Sequence, residues 1–127
     1  MLSYQNAVSQ HKLTKEIKET YAFSNESKLY LENKYGDIFV SGWDKNSIEI
    51  VVDIEAESKN ADKAKKLLNR VKMDIVATDK EVKVTSKIAK KEGGFLGRLD
   101  PFKNEKTKIN YTIYMPRKAM IEAYNKY

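Results

Sequence analysis

Between Ile48 and Glu57 every second residue faces the same way: Ile48, Ile50, Val52, Ile54 and Ala56 on one side, Glu49, Val51, Asp53, Glu55 and Glu57 on the other. Side chains alternate across a strand with period two, whereas a helix would scatter this apolar row around its circumference. The run is therefore a long strand with one face in a core and a mostly acidic face in water. That is the pattern of an antiparallel sheet with one solvated side. Any fold open to this chain must supply such a sheet and something to cover it.

The same period recurs elsewhere. Leu29 and Leu31 alternate with Lys28, Tyr30 and Glu32, and Ile38 and Val40 resume the pattern after the turn Asn33-Lys34-Tyr35-Gly36-Asp37, with Gly36 free to take a positive φ. Met73, Ile75 and Ala77, then Val82, Val84 and Ser86, flank Thr78-Asp79-Lys80-Glu81 as a hairpin. Ile109, Tyr111, Ile113 and Met115 form a late strand that Pro116 stops, and another begins over Ala119 to Tyr124. Upstream, residues 11–20 read as a short helix or an extended lead-in, with extended chain expected from Glu19 to Phe23. One segment has a different period. Ala61, Ala64, Leu67, Leu68 and Val71 recur at helical spacing among Lys63, Lys65, Lys66 and Arg70, with Asn60 or Ser58 as N-cap and Asp62 in the first turn. A helix over about 60–72 with one apolar stripe covers a sheet. The expected architecture is mainly β with one inserted α-helix, arranged as a β-solenoid-like start or as an antiparallel α+β sandwich.

The chain also repeats itself. Leu29-Tyr30-Leu31-Glu32-Asn33-Lys34-Tyr35 aligns with Ile121-Glu122-Ala123-Tyr124-Asn125-Lys126-Tyr127 at a constant offset of 92 positions, with Asn-Lys-Tyr identical in both copies. A repeat buries its faces by stacking on its neighbours. The expectation is a domain over 19–127 that breaks off before a second strand repeat. These residues, with Gly36-Asp37-Ile38, Gly42-Trp43-Asp44-Lys45-Asn46, Ala61-Asp62-Lys63-Ala64 and the strand from Ile109 to Met115-Pro116, resemble a bacterial "putative adhesin" domain of unknown function, a β-strand repeat family common in Bacteroidetes. The resemblance spans roughly residues 19–127. It implies an exported protein whose strands continue into a solenoid-like array, and it brings no ligand, cofactor or catalytic residues with it.

Composition narrows the chemistry. The 127 residues hold no Cys and one His, which leaves no thiolate zinc site, iron–sulfur cluster, cysteine nucleophile or multi-histidine metal centre. His11 lies in a polar terminal segment, without the nucleophile and orienting acid that catalysis needs. Glu55 and Glu57 sit on one solvated face rather than across a cleft, and Asp37 and Asp44 fall far short of a calcium ligand set. Glu92 to Arg98 lacks the Gly-Lys-Ser/Thr ending of a phosphate loop. No catalytic, cofactor or metal site is expected. Mean hydropathy is −0.66, and no run approaches the ~18 apolar residues of a membrane span.

The net charge of +6 is local. Residues 1–79 carry 12 basic and 13 acidic side chains, whereas residues 80–118 carry 11 basic and 4 acidic. Such a stretch attracts anionic surfaces. Yet 21 of the 24 basic residues are Lys, and base readout favours Arg, so nucleic acid is not the expected partner. Within this stretch the long loop 88–106 is the candidate contact site: Phe95, Leu96, Leu99 and Phe102 lie among Lys90, Lys91, Arg98 and Lys103. Tyr30, Tyr114 and Trp43 fall on outward or turn positions, where rings stack on sugars or on one another across strands. Ala7-Val8-Ser9 has the small-x-small pattern of a leader cleavage site, so residues 1–18 are expected to be a leader remnant or a disordered terminus. The function expected is that of a non-enzymatic, adhesin-like envelope or surface protein, exported to the periplasm or cell surface, with a surface partner or glycan as ligand. The alternative is a membrane-surface or polyanion-binding domain using the basic 80–118 region.

Overall fold

The computed structural model describes residues 11–89 and 105–126. The elements are β1 (His11–Ala22), β2 (Lys28–Lys34), β3 (Ile38–Trp43), β4 (Ser47–Ser58), α1 (Ala61–Arg70), β5 (Val71–Ala77), β6 (Glu81–Ile88), β7 (Lys106–Pro116) and β8 (Met120–Lys126). They form two four-stranded sheets, in the orders β1-β4-β7-β3 and β5-β6-β2-β8. Among the described residues the fold is thus mainly β with one helix, a two-layer α+β sandwich with no closed barrel. Both sheets are mixed. β4 runs antiparallel to β1 and β7, and β5 runs antiparallel to β6. β2 lies parallel to both β6 and β8, and β3 lies parallel to β7.

The alternation predicted for β4 is what the sandwich uses. Ile48, Ile50, Val52 and Ile54 are buried in one core with Leu29, Leu31, Val82, Val84, Ile109, Tyr111 and Ile113, and Ala56 is buried at the end of the same row. Burying each such aliphatic side chain contributes about 1.5–3 kcal/mol. α1 packs on β4 and β1 through Ala64 and Leu67, with Leu68 partly buried beside the core. Asn60 is the N-cap, its side-chain oxygen accepting from the amides of Asp62 at 2.7 Å and Lys63 at 3.3 Å. Ser58 sits one step back and accepts from the Asn60 amide at 3.3 Å. The helix stops at Arg70, short of the expected 72, because Val71 already pairs with Ile88 as a strand.

Two local expectations are corrected. The chain is extended from His11, not from Glu19, because β1 pairs with β4 along its whole length, from His11 opposite Ser58 to Ala22 opposite Ser47. Residues 11–18 are therefore strand, and residues 1–10, with the leader-like Ala7-Val8-Ser9, lie outside the described residues. In the turn between β2 and β3, the left-handed residue is Tyr35, at φ 69°, and not Gly36. Gly36 is needed for a different reason. A Cβ there would sit 1.8 Å from the Ile109 carbonyl oxygen, so only glycine lets the turn approach β7 this closely.

Tyr111 ties the layers together. Its ring is fully buried and its hydroxyl donates to the Glu32 carbonyl at 2.7 Å. Burial pushes the phenol from its ordinary 10 up to about 12. The folded state therefore keeps a proton that the unfolded chain releases above pH 10, so this contribution is whole below pH 10 and is lost as pH rises towards 12. Urea midpoints of wild type and Tyr111→Phe should accordingly converge between pH 10 and 11.5. At pH 7 the variant should be less stable by about 1–2 kcal/mol, having lost the hydroxyl's bond to the Glu32 carbonyl. A gap that stays constant with pH would refute the assignment.

Candidate functional site

The sequence repeat has a direct structural meaning. β8 lies on β2 in parallel register with the same offset of 92: Leu29 pairs with Ile121, Leu31 with Ala123, Asn33 with Asn125 and Lys34 with Lys126. Paired residues share a face, so Ile121, Ala123 and Asn125 occupy inner positions equivalent to three fully buried residues of β2. They are nonetheless exposed, Ile121 at 44%. β3, the last strand of the other sheet, behaves alike. Val40 is in register with buried Ile113, yet is 43% exposed.

These strands lie on one flank of the sandwich. β2 faces β7 across the core, the β2–β3 turn crosses between the layers, and β8 and β3 are the strands beyond. The turn is fixed by Ile109 N–H donating to the Tyr35 carbonyl at 2.9 Å, Tyr111 N–H to the Asp37 carbonyl at 2.9 Å, and Asp37 N–H to Asn110 Oδ1 at 2.9 Å. Tyr35 N–H donates to the Lys126 carbonyl at 3.1 Å, which joins the end of β8 to the same turn. The Lys28 ammonium, 2.8 Å from the Glu122 carboxylate, pins the outer side of β8 to β2 and, with the Tyr124 hydroxyl, holds that carboxyl below its usual range. Of the seven exposed large apolar side chains among the described residues, six belong to this flank: Tyr35, Phe39, Val40, Met120, Ile121 and Tyr124. They are divided between faces: Val40 and Ile121 take inner positions, whereas Phe39, Met120 and Tyr124 take outer ones, opposite Thr112, Lys28 and Glu32.

The opposite flank is built differently. On β1 the inner positions opposite buried Ile54 and Ile50 are Lys15 and Glu19. Inward-pointing charges on an edge strand block the addition of another strand. β3 carries no charged residue at all, and the inner row of β8 is Ile, Ala and Asn.

The aromatic positions read from sequence pair with one another. Trp43 stacks on Tyr114 at 5.6 Å under the Lys45 ammonium, and Tyr30 meets Tyr124 at 5.6 Å beside Lys83. Both pairs bridge neighbouring strands. The described part of the basic 80–118 region is divided: Lys83 and Lys87 lie on the outer face of one sheet, Lys106 and Lys108 on that of the other, opposite Glu57 and Glu55. The loop candidates Lys90, Lys91, Phe95, Leu96, Arg98, Leu99, Phe102 and Lys103 lie outside the described residues.

Two of the four carboxylates weighed from sequence are in ion pairs: Glu55 with Lys12 at 3.2 Å, and Asp44 with Arg117 at 2.7 Å. Glu55 and Glu57 line a cavity of about 770 Å³ with Glu105, Lys12, Lys106 and Lys108, in which acids and bases alternate. Among the described residues, no His, Asp and Glu side chains gather as a metal-ligand set, and no helix is long and apolar enough to cross a membrane.

The β3/β8 flank was not read from the sequence as a site. Two signals could have found it: the absence of charge from 38–43, and the exact register of the repeat.

The molecule so described is a two-layer β-sandwich with one flank whose inner strand positions carry no charge. No protein-family model matches the chain, and no curated protein matches it. Among solved structures, a "putative cell adhesion protein" from Clostridium sporogenes is similar at 15% identity with a TM-score of 0.38, over 86% of this chain. This chain spans 46% of that protein's length.

Proposed function

We propose that the chain is a non-enzymatic, adhesin-like module of the bacterial envelope, exported to the periplasm or cell surface, that acts as a scaffold or binder by contact. It belongs, on this reading, to the β-strand repeat family that its Asn-Lys-Tyr-Gly-Asp and Met-Pro motifs resemble. The observation that supports contact is the β3/β8 flank, where inner-face apolar residues that are buried on the neighbouring strands stand in solvent. A surface partner or glycan would be recognised there by shape and apolar contact, since the flank offers few charges. The test is made on the cells that produce the protein. Antibodies against the folded chain should label intact cells or their released periplasm, and external protease should remove any surface signal. Recovery of the protein solely in the cytoplasmic fraction would overturn the reading.

A further inference from the structure

We propose that one end of the outer face of the β5-β6-β2-β8 sheet binds a linear acidic polysaccharide, through a row of four lysines (Lys72, Lys87, Lys34 and Lys126) and the cavity beside them. The site lies apart from the uncharged inner positions of β3 and β8, and its ligand chemistry is one that the contact-module reading leaves open.

The row follows from the strand register. Lys72 pairs with Lys87 across β5 and β6. Lys34 pairs with Lys126 across β2 and β8. Lys87 and Lys34 are the next outer positions after the pair of Thr85 with Glu32, so the two like-charged pairs lie end to end across all four strands. Neighbouring strands are about 4.8 Å apart, so the four Cα atoms span roughly 14 Å. All four side chains are exposed, and none of them is in an ion pair among the described residues. Like charges directly opposite on a sheet repel. At the other end of the same face the charges alternate: Lys28 stands opposite Glu81 and bonds the Glu122 carboxylate at 2.8 Å. An anionic ligand laid along the lysine row turns its repulsion into attraction.

The cavity gives the ligand a place for a ring. It holds about 720 Å³ where β2 and β6 end beside the last turn of α1, a volume ordinary for a small-molecule site. Lys34, Arg70 and Lys87 line it with Tyr35 and Ser86, and its described lining includes no carboxylate. Arg70 is half-buried and its Nε–H donates to the Ala89 carbonyl at 2.8 Å, which fixes the side chain at the wall. Tyr35 is 47% exposed and shares the lining with Ile88. A sugar ring sets its apolar face against such a wall while its acid group meets the ammoniums. A bare polyphosphate chain has no such face to offer.

The charges around the row select a narrow ligand. The next outer positions inward carry Asp74 and Glu32, and beyond them lie Glu122 and Glu81. A flat anionic bilayer on this face would press on all four carboxylates, whereas a single chain lying across the strand ends avoids them. The row is made of lysines, which act as point charges and lack the guanidinium fork that reads bases.

The probe is an oligogalacturonate, with one carboxylate on every ring, titrated into the purified chain by calorimetry. Saturable binding is expected, weakening at least fivefold as NaCl rises from about 50 to about 200 mM. The double variant Lys34→Gln, Lys87→Gln should bind at least tenfold more weakly. Lys63→Gln with Lys65→Gln, which removes the same charge from the exposed side of α1, should leave binding unchanged. Thermal melts establish that both variants are folded. The fully methyl-esterified oligomer removes the anions without altering the protein, and should not bind. Absence of binding by the acidic oligomer overturns the proposal, as does equal binding of its ester or equal loss in the α1 variant. Tighter binding of phosphatidylglycerol vesicles or single-stranded DNA through Lys34 and Lys87 would assign the row to those surfaces, and would also overturn it. Because these readouts use purified protein, they fail independently of where the cell places it.

Discussion

Gly36→Ala should cost on the order of 4 kcal/mol or more and lower the melting temperature by roughly 10–20 °C. The added methyl would fall 1.8 Å from the Ile109 carbonyl oxygen, 2.5 Å from its carbon and 2.8 Å from Asn110 Oδ1. Two of these are main-chain atoms in the middle of a sheet, held on the far side by the pairing of Ile109 with Ile54. The clash is relieved only by lifting the turn off β7. That gives up the Ile109 N–H bond to the Tyr35 carbonyl and the Asp37 N–H bond to Asn110. Each such bond contributes about 1 kcal/mol net, and a buried group left unpaired costs about 1–3 kcal/mol. Gly42→Ala is the control. There the new methyl meets mainly the Arg117 side chain, at 2.5 Å from Cγ, and that side chain is exposed and held only by its surface ion pair with Asp44. Its effect should be within about 1.5 kcal/mol. Equal melting temperatures for wild type and Gly36→Ala would show that the turn does not approach β7 this closely.

The second large effect separates the two copies of the repeat. Asn33→Ala should destabilise the protein by about 2–3 kcal/mol, and Asn125→Ala by less than about 0.5 kcal/mol. Asn33 is fully buried; its amide donates to the Ile109 carbonyl at 2.8 Å and its oxygen accepts from the Ser86 hydroxyl at 3.2 Å. Truncation removes a buried bond to the Ile109 carbonyl and a half-buried one from Ser86, and leaves a cavity beside them. Asn125 has the same flanking residue, Lys, and the same place in its strand, but its side chain is in solvent. Denaturant titration of the two variants measures the difference directly. Similar midpoints would mean that Asn33 is not the bridge between the layers.

How far the sequence could be read depended on the range of the interactions. The inner row of β4 and the stripe of α1 were legible because alternation and helical spacing are properties of neighbouring residues. The β5–β6 hairpin was legible for the same reason, with its turn at Thr78 to Glu81. β1 was legible only from Glu19, since His11 to Lys18 has too few apolar residues to show a period and becomes a strand by pairing with β4. Gly36 was picked out correctly as special and explained wrongly. A glycine beside a turn suggests a positive φ, whereas here the constraint is a carbonyl 73 positions downstream. The loop between β6 and β7 drew attention through its Phe and Leu residues, while the flank in view was assembled from strands far apart in sequence.

The sequence alone established a β-rich chain with one covering helix, a repeat at offset 92 and a chemistry limited by the absence of Cys, because composition and local periodicity carry that information. It could not tell which strands are neighbours. Parallel pairing of β2 with β8, the crossing of the β2–β3 turn over β7, and the choice of β3 and β8 as the unguarded edges depend on contacts between residues tens of positions apart. Such contacts leave no period behind. That is why Leu29 and Ile121, near-equivalents in one repeat, are in the end a core residue and a surface residue: what differs between them is whether another strand lies alongside.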